Sequence, residues 1–189
     1  MQTSSDPRCQ FERNRWVVRV LVFLTMCGSG WAKGERYHPL EQTEFSAEDA
    51  SVHNPIEIPR AVMTILGKDH WVHNALENES IPSEKLPPSW FSASTIHLGS
   101  ANELDLVVVG EGPLAGANVV TFWLFLATPH GYELVLTQSA HDLTIETTRH
   151  KGYRDIEAST ESAITFCSAL FKFDGNTYSK RSGKTEQLH

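Results

Sequence analysis

Two histidines three residues apart, His70 and His73, bring two imidazoles near one face of a helix, a spacing from which a metal site can be built. The nearest carboxylate is Asp69, no cysteine is close, and there is no His-Glu-x-x-His pattern, so the pair reads as surface histidines on a helix. A second group is His141-Asp142 with His150. An aspartate beside a histidine can orient the imidazole for base catalysis. Neighbouring residues of an extended strand point to opposite faces, however, so His141 and Asp142 do not pair if that segment is a strand. The favoured reading is a turn between strands that Asp142 caps. Cys167 is a candidate thiol, but it stands in Ala163-Ile164-Thr165-Phe166-Cys167-Ser168-Ala169-Leu170-Phe171. That run reads as a buried strand, where free cysteine behaves as a small hydrophobe. A Gly-x-Ser-x-Gly elbow, a phosphate loop and a dinucleotide fingerprint are all missing, so no catalytic residue, metal ligand or cofactor is assigned.

The remaining candidates are binding elements. Gly110-Glu111-Gly112-Pro113-Leu114-Ala115-Gly116 lacks lysine and reads as a flexible hairpin loop, with Gly112 and Gly116 free to contact a partner. Trp90-Phe91 follows Pro87-Pro88 and is either core or a docking patch, with core favoured. Trp90, Phe91, Gly112, Gly116, His141, Asp142 and His150 thus form the candidate binding set.

The elements that must position these residues are legible from periodicity. Residues 33–54 are polar and aperiodic and read as a flexible lead-in. Residues 55–88 read as a helical segment with a proline-rich linker. Ile58, Val62, Met63, Ile65, Leu66, Trp71, Val72 and Leu76 recur at spacings near three and four, as one helical face does. Pro59 suits a first turn, and Gly67 divides the segment into two short helices near Gly67-Lys68-Asp69. Pro82, Pro87 and Pro88 end it.

From residue 89 to 182 the pattern is β. Leu104 to Val109 is apolar apart from Asp105, as a strand buried on both faces is. Strands are also expected over 92–98, 119–126, 132–138, 143–148, 153–159, 163–173 and 177–179. Pro129-His130-Gly131 and Asp174-Gly175-Asn176 are hairpin turns, with Gly131 and Gly175 supplying positive φ. Residues 183–189 read as a tail.

The strands fall into two similar units, about 91–140 and 141–180. Asn102-Glu103-Leu104-Asp105-Leu106 aligns with Gly152-Tyr153-Arg154-Asp155-Ile156. The aromatic strand Thr121-Phe122-Trp123-Leu124-Phe125 aligns with Ala169-Leu170-Phe171-Lys172-Phe173, and Gly131-Tyr132 with Gly175-Asn176-Thr177-Tyr178. A period of about 50 residues is in the range of blade-like repeats, although two units cannot close a propeller. Gly-x-x-Asp-Ile, an aromatic strand and Phe-Asp-Gly-Asn-Thr-Tyr together resemble the β-repeat modules of secreted bacterial proteins, in the manner of FG-GAP or VCBS-type blades. In that family a run of aspartates ahead of the strand binds calcium. Here Leu98-Gly99-Ser100-Ala101-Asn102-Glu103 and Thr147-Thr148-Arg149-His150-Lys151 lack the alternating carboxylates that a hard cation needs, so calcium binding is not carried over. Asp105 and Asp155 read instead as turn residues that bond backbone N–H groups where their strands open.

The N-terminal 32 residues have the order of a secretory signal: a basic start, the apolar run Trp16 to Met26, then small residues up to a cut after Ala32. Arg19 interrupts the run. The alternatives are an uncleaved anchor and a lipid on Cys27, where Leu24 stands at −3 but the bulky Met26 at −1. The apolar stretch is short of the roughly 20 residues of a membrane span. Cleavage would remove Cys9 and Cys27 and leave Cys167 without a disulfide partner. It would also take away four arginines against Asp6 and Glu12, making the net charge of −7 two units more negative. So acidic a body argues against nucleic acid and anionic membranes as partners.

The expected fold is α+β and mostly β: antiparallel sheets built from two repeated units, with the helical segment on one face. The expected function is an exported, periplasmic or extracellular, non-catalytic module binding a protein or cell-envelope component. An extracytoplasmic hydrolase with a His/Asp site and a structural accessory domain are the alternatives. A pocket uniting His97, His141 or His150 with Asp105, Asp142 or Asp155 would favour the hydrolase.

Overall fold

A continuous apolar run such as Phe122–Leu126 turns side chains to both faces of its strand and needs two surfaces to bury them, and the fold supplies both. In the computed structural model the described residues are 41–49, 52–100 and 102–187, all within the compact unit Arg36–His189. The N-terminal signal or anchor, its cleavage site, Cys9 and Cys27 lie outside the described residues. The elements are β1 (Glu44–Ser46), α1 (Arg60–Leu66), α2 (His70–Asn78), β2 (Phe91–Ile96), β3 (Asp105–Gly110), β4 (Val120–Thr128), β5 (Gly131–Ala140), β6 (Asp142–His150), β7 (Tyr153–Glu161), β8 (Thr165–Phe173) and β9 (Tyr178–Gln187). The protein is mostly β, with two short helices and two antiparallel sheets, one in the order β2-β3-β4-β5 and the other β1-β6-β7-β8-β9. No described helix is long and apolar enough to cross a membrane.

The four-stranded sheet is the middle layer. Val107 and Val109 of β3, with Phe122, Leu124 and Leu126 of β4, meet Leu143, Ile145, Ile156, Phe171 and Phe173 of the five-stranded sheet. The opposite parity, Leu106, Val108, Trp123 and Phe125, packs against Val62, Leu66, Val72, Ala75 and Leu76 of the helices. That is why β3 is buried at every position: each residue faces one of two cores. Burying each large apolar side chain contributes roughly 1.5–3 kcal/mol, which is where the fold's stability originates. The helices are separate because Gly67 caps α1 and the carboxylate of Asp69 accepts the Trp71 N–H at the start of α2.

Two boundaries depart from the sequence reading. The lead-in is not loose throughout: Glu44–Ser46 pairs with Thr144–Asp142, and Phe45 is buried against Phe122, ring centroids 6.5 Å apart. A three-residue strand carries too little pattern to be seen in a polar segment. Nor is 183–189 a tail from its first residue, because β9 continues to Gln187, opposite Thr165. Its polarity reflects an exposed edge strand, not the absence of structure.

Candidate binding cleft

Where β1 lies along β6, the strap of residues 41–46 and the solvent-facing side of the five-stranded sheet enclose a cleft of about 830 Å³. Strand parity decides its chemistry. Asp142 pairs with Ser159 and Thr144 with Glu157, so these four side chains share one face. Glu44 and Ser46 continue the rows through Thr144 and Asp142. The carboxylates along the cleft are Glu41, Glu44, Asp49, Asp142 and Glu157, with His53 and Phe166 also at its wall and no lysine or arginine among the described lining residues. Asp142 is held by the Ser159 hydroxyl, which donates to Oδ2 at 3.1 Å, yet its side chain stays 44% exposed. Glu44 and Asp49 are exposed and Glu157 is half-buried.

The strap is fastened from behind by an ion pair. Glu41 Oε2 lies 3.3 Å from Arg154 Nη1, and the two side chains are 8% and 3% exposed. Glu41 Oε1 accepts the His97 backbone N–H at 2.6 Å, with the His97 ring nitrogen 3.5 Å away. The remaining Arg154 donors reach the carbonyls of Glu146 (2.6 Å) and Ile145 (2.7 Å). Those carbonyls lie where a bulge begins: between the pairs Ile145–Ile156 and Arg149–Arg154, Glu146, Thr147 and Thr148 stand opposite Asp155 alone. The Tyr178 hydroxyl donates to the Arg154 carbonyl at 2.7 Å, and burial pushes its pKa up, which keeps the donor protonated. Sequence reasoning missed both Glu41 and Arg154. Arg154 left one signal, since it shares inward parity with Ile156 and Ala158 and a buried cation demands a partner. Glu41 left none, because nothing near it shows that it will meet a strand 113 residues away.

The sequence-selected residues disperse. Trp90 and Phe91 are not a docking patch: both are buried beneath the helices, with Phe91 edge-on to Trp123 at 5.7 Å. The Gly110–Gly116 loop is not a free arm. Gly112, at φ 55°, starts a 3-10 turn that drives Leu114 into the helix-side core. The Gly116 N–H donates to the Val119 carbonyl at 2.7 Å. His141 and Asp142 do not form a capped turn: Asp142 is the first residue of β6. His141 bonds the Asn118 carbonyl at 3.0 Å and lies 3.9 Å from Asp142. His150 ends β6, which begins at Asp142, so roughly 30 Å of extended chain at about 3.3 Å per residue separates the two histidines and they form no cluster. His70 bonds Asn74 and His73 pairs with Glu77, each one turn along α2. Among the described residues no three His, Cys, Asp or Glu side chains are placed to hold a metal ion. Cys167 is half-buried rather than fully buried, like every β8 residue from Thr165 to Leu170. Its thiol lies 3.6 Å from the Thr185 hydroxyl.

The turn residues sit as follows. Asp105, fully buried, accepts backbone N–H groups from Leu98 (2.8 Å), Gly99 (3.4 Å) and Ala127 (2.9 Å). Burial nevertheless raises its pKa above the ordinary carboxylate value, desolvation outweighing the bonds that favour the anion. Asp155 does something else: its Oδ2 takes the Thr148 hydroxyl (2.9 Å) and Lys172 Nζ (3.2 Å) rather than the backbone N–H groups of a strand-opening turn. It sits opposite the bulge, where a side chain is the nearest donor. Asp174 accepts the N–H groups of Asn176 and Thr177, which lower its pKa. Gly131 and Gly175 take φ of 127° and 115° in the two hairpin turns. The cleft beside β1 holds Asp142 but not His97, His141 or His150, and the smaller cleft beside Pro129 holds none of these histidines nor Asp105, Asp142 or Asp155. Compared with protein-family models, with curated proteins and with solved structures, the chain matches none.

Proposed function

We propose that this protein is an exported, non-catalytic module that receives a cationic segment of a protein partner in the cleft beside β1. One observation carries the reading. Carboxylates from two separate stretches of chain, Glu44 and Asp49 on one side and Asp142 and Glu157 on the other, converge on a concave surface whose described lining holds no lysine or arginine. Concave walls of one charge sign focus the field and attract the opposite sign. Phe166 adds an apolar contact at the wall, which suits a lysine or arginine stem. Export rests on the order of charged, apolar and small residues over 1–32. Finding that segment retained on protein in the cytosolic fraction would refute it.

The duplicated-unit reading has topological support. Each unit is a four-stranded meander, β2 to β5 and β6 to β9. Asp105 and Asp155 both fall in the second strand, and the turns at Gly131 and Gly175 both join the third strand to the fourth.

The cleft is tested with a synthetic lysine- and arginine-rich peptide titrated into the full chain by calorimetry. Binding should weaken at least about tenfold with Glu44→Lys plus Glu157→Lys, since each lost contact of about 1.4 kcal/mol is a factor of ten. Unchanged affinity in that variant overturns the cleft as the site.

A further inference from the structure

We infer that the cationic segment the cleft accepts is the β9 edge of a second copy of this chain, an inference that rests on the cleft reading above. β9 is the terminal strand of the five-stranded sheet, opposite the end occupied by β1. It is ten residues long, and one side of its backbone has no strand neighbour among the described residues. Its exposed side chains include Lys180, Arg181 and Lys184 against Glu186 alone. One sheet therefore ends in a basic edge on one side and an acidic cleft on the other.

Geometry permits the two to meet. Four successive antiparallel pairings separate β1 from β9, so the two strands run in the same direction. A copy displaced sideways and onto the cleft face, without inversion, lays its β9 parallel to the β1 of its neighbour over the face that carries Glu44, Asp142 and Glu157. The contact is head-to-tail and heterologous, so it propagates or closes into a ring instead of stopping at a two-fold dimer. Lys184 already pairs with Glu186 on the same strand, but an exposed pair of this kind is easily exchanged. The exposed lysines also discourage indiscriminate edge pairing, and they leave a complementary acidic surface as the favoured neighbour. A polyanion or an anionic lipid surface would meet the net charge of −7 as repulsion. Every β9 residue from Lys180 to Gln187 is exposed, which leaves the strand accessible.

Sedimentation velocity on the full chain at about 0.1 M ionic strength, where the Debye length is about 10 Å, tests this. The wild type should grow past dimer as its concentration rises. A β9 variant (Lys180→Glu, Arg181→Glu, Lys184→Glu) and a cleft variant (Glu44→Lys, Glu157→Lys) should each be monomeric, because each keeps only one half of the contact. An equimolar mixture of the two should associate again, because the intact acidic cleft of the first meets the intact basic edge of the second and the two reversed surfaces are themselves complementary. Circular dichroism checks that both variants are folded. A monomeric wild type, a variant that associates alone as the wild type does, or a mixture that stays monomeric overturns the inference. Symmetric β9–β9 pairing, or association through the apolar segment at 16–26, would show as self-association of the cleft variant. If the wild type is monomeric yet binds the basic peptide, the cleft reading survives and only the identity of the occupant fails. If the peptide does not bind either, both fail.

Discussion

Replacing Asp105 tests how the end of the sandwich is held together. Its carboxylate is fully buried and serves three backbone N–H groups, at 2.8, 2.9 and 3.4 Å. Two of these, Leu98 and Gly99, follow β2, while Ala127 is on β4, so one side chain ties the β2–β3 loop to the sheet. Asp105→Ala leaves the donors without an acceptor, and each buried unsatisfied donor costs roughly 1–3 kcal/mol. With two short bonds and one long one, the expected loss is about 3–5 kcal/mol. In a domain of this size that lowers the melting temperature by roughly 10 °C, at about 2–4 °C per kcal/mol. Asp105→Asn keeps one carbonyl acceptor and should lose less. The sign of the pH effect follows from the raised pKa. The folded state binds the proton more tightly than the unfolded one. The contribution is therefore fully present below the unfolded value of about 3.9 and is lost as pH rises through the higher folded value. The amide that replaces the carboxyl in Asp105→Asn does not titrate. The stability difference between wild type and Asp105→Asn should thus shift toward the wild type as pH falls through that window. Urea unfolding of the wild type and both variants from mildly acidic to neutral pH gives the numbers. A loss below about 1 kcal/mol for Asp105→Ala, or a difference from Asp105→Asn that is independent of pH, refutes the reasoning.

Arg154→Met strands Glu41, whose side chain is 8% exposed, and should cost about 3–5 kcal/mol, whereas adding Glu41→Leu should recover much of it. Urea unfolding of the single and double variants checks the pair, and equal losses in both would remove the ion pair as the cause. Gly99→Ala places a methyl 2.8 Å from the Tyr153 ring and should cost about 1–3 kcal/mol. That penalty should shrink when Tyr153→Leu is also present, and strict additivity in a double-mutant cycle would contradict the clash. Trp123→Ala should cost about 3–5 kcal/mol because the ring is fully buried between the helices and its own sheet. Trp71→Ala, at a ring 49% exposed, should change stability by less than about 0.5 kcal/mol in a thermal melt.

Much of the layering was legible because it depends on local periodicity. The run Leu104–Val109 announced burial on both faces, and β3 has it from Asp105 on, although Leu104 itself stands before the strand and is exposed. Gly67 announced a break between two helices, and α1 and α2 meet there. Gly131 and Gly175 marked hairpin turns through a backbone conformation that other residues adopt at a cost. The candidate site was not legible in the same way. Trp90 and Phe91 look alike in sequence whether they cap a surface or fill a core, and only the arrival of the helices buries them. His141 and His150 are close in sequence, and an extended strand drives them apart.

The sequence by itself determined the alternation, the turns and the acidic balance, since these depend on residues within a few positions of one another and on simple counts. The tertiary structure alone decided which carboxylates share a wall. The cleft joins residues 41–49 to residues 142–166, and its fastening joins Glu41 to Arg154. Contacts at that separation depend on sheet order and register, which the long-range packing of both cores selects and no local pattern records.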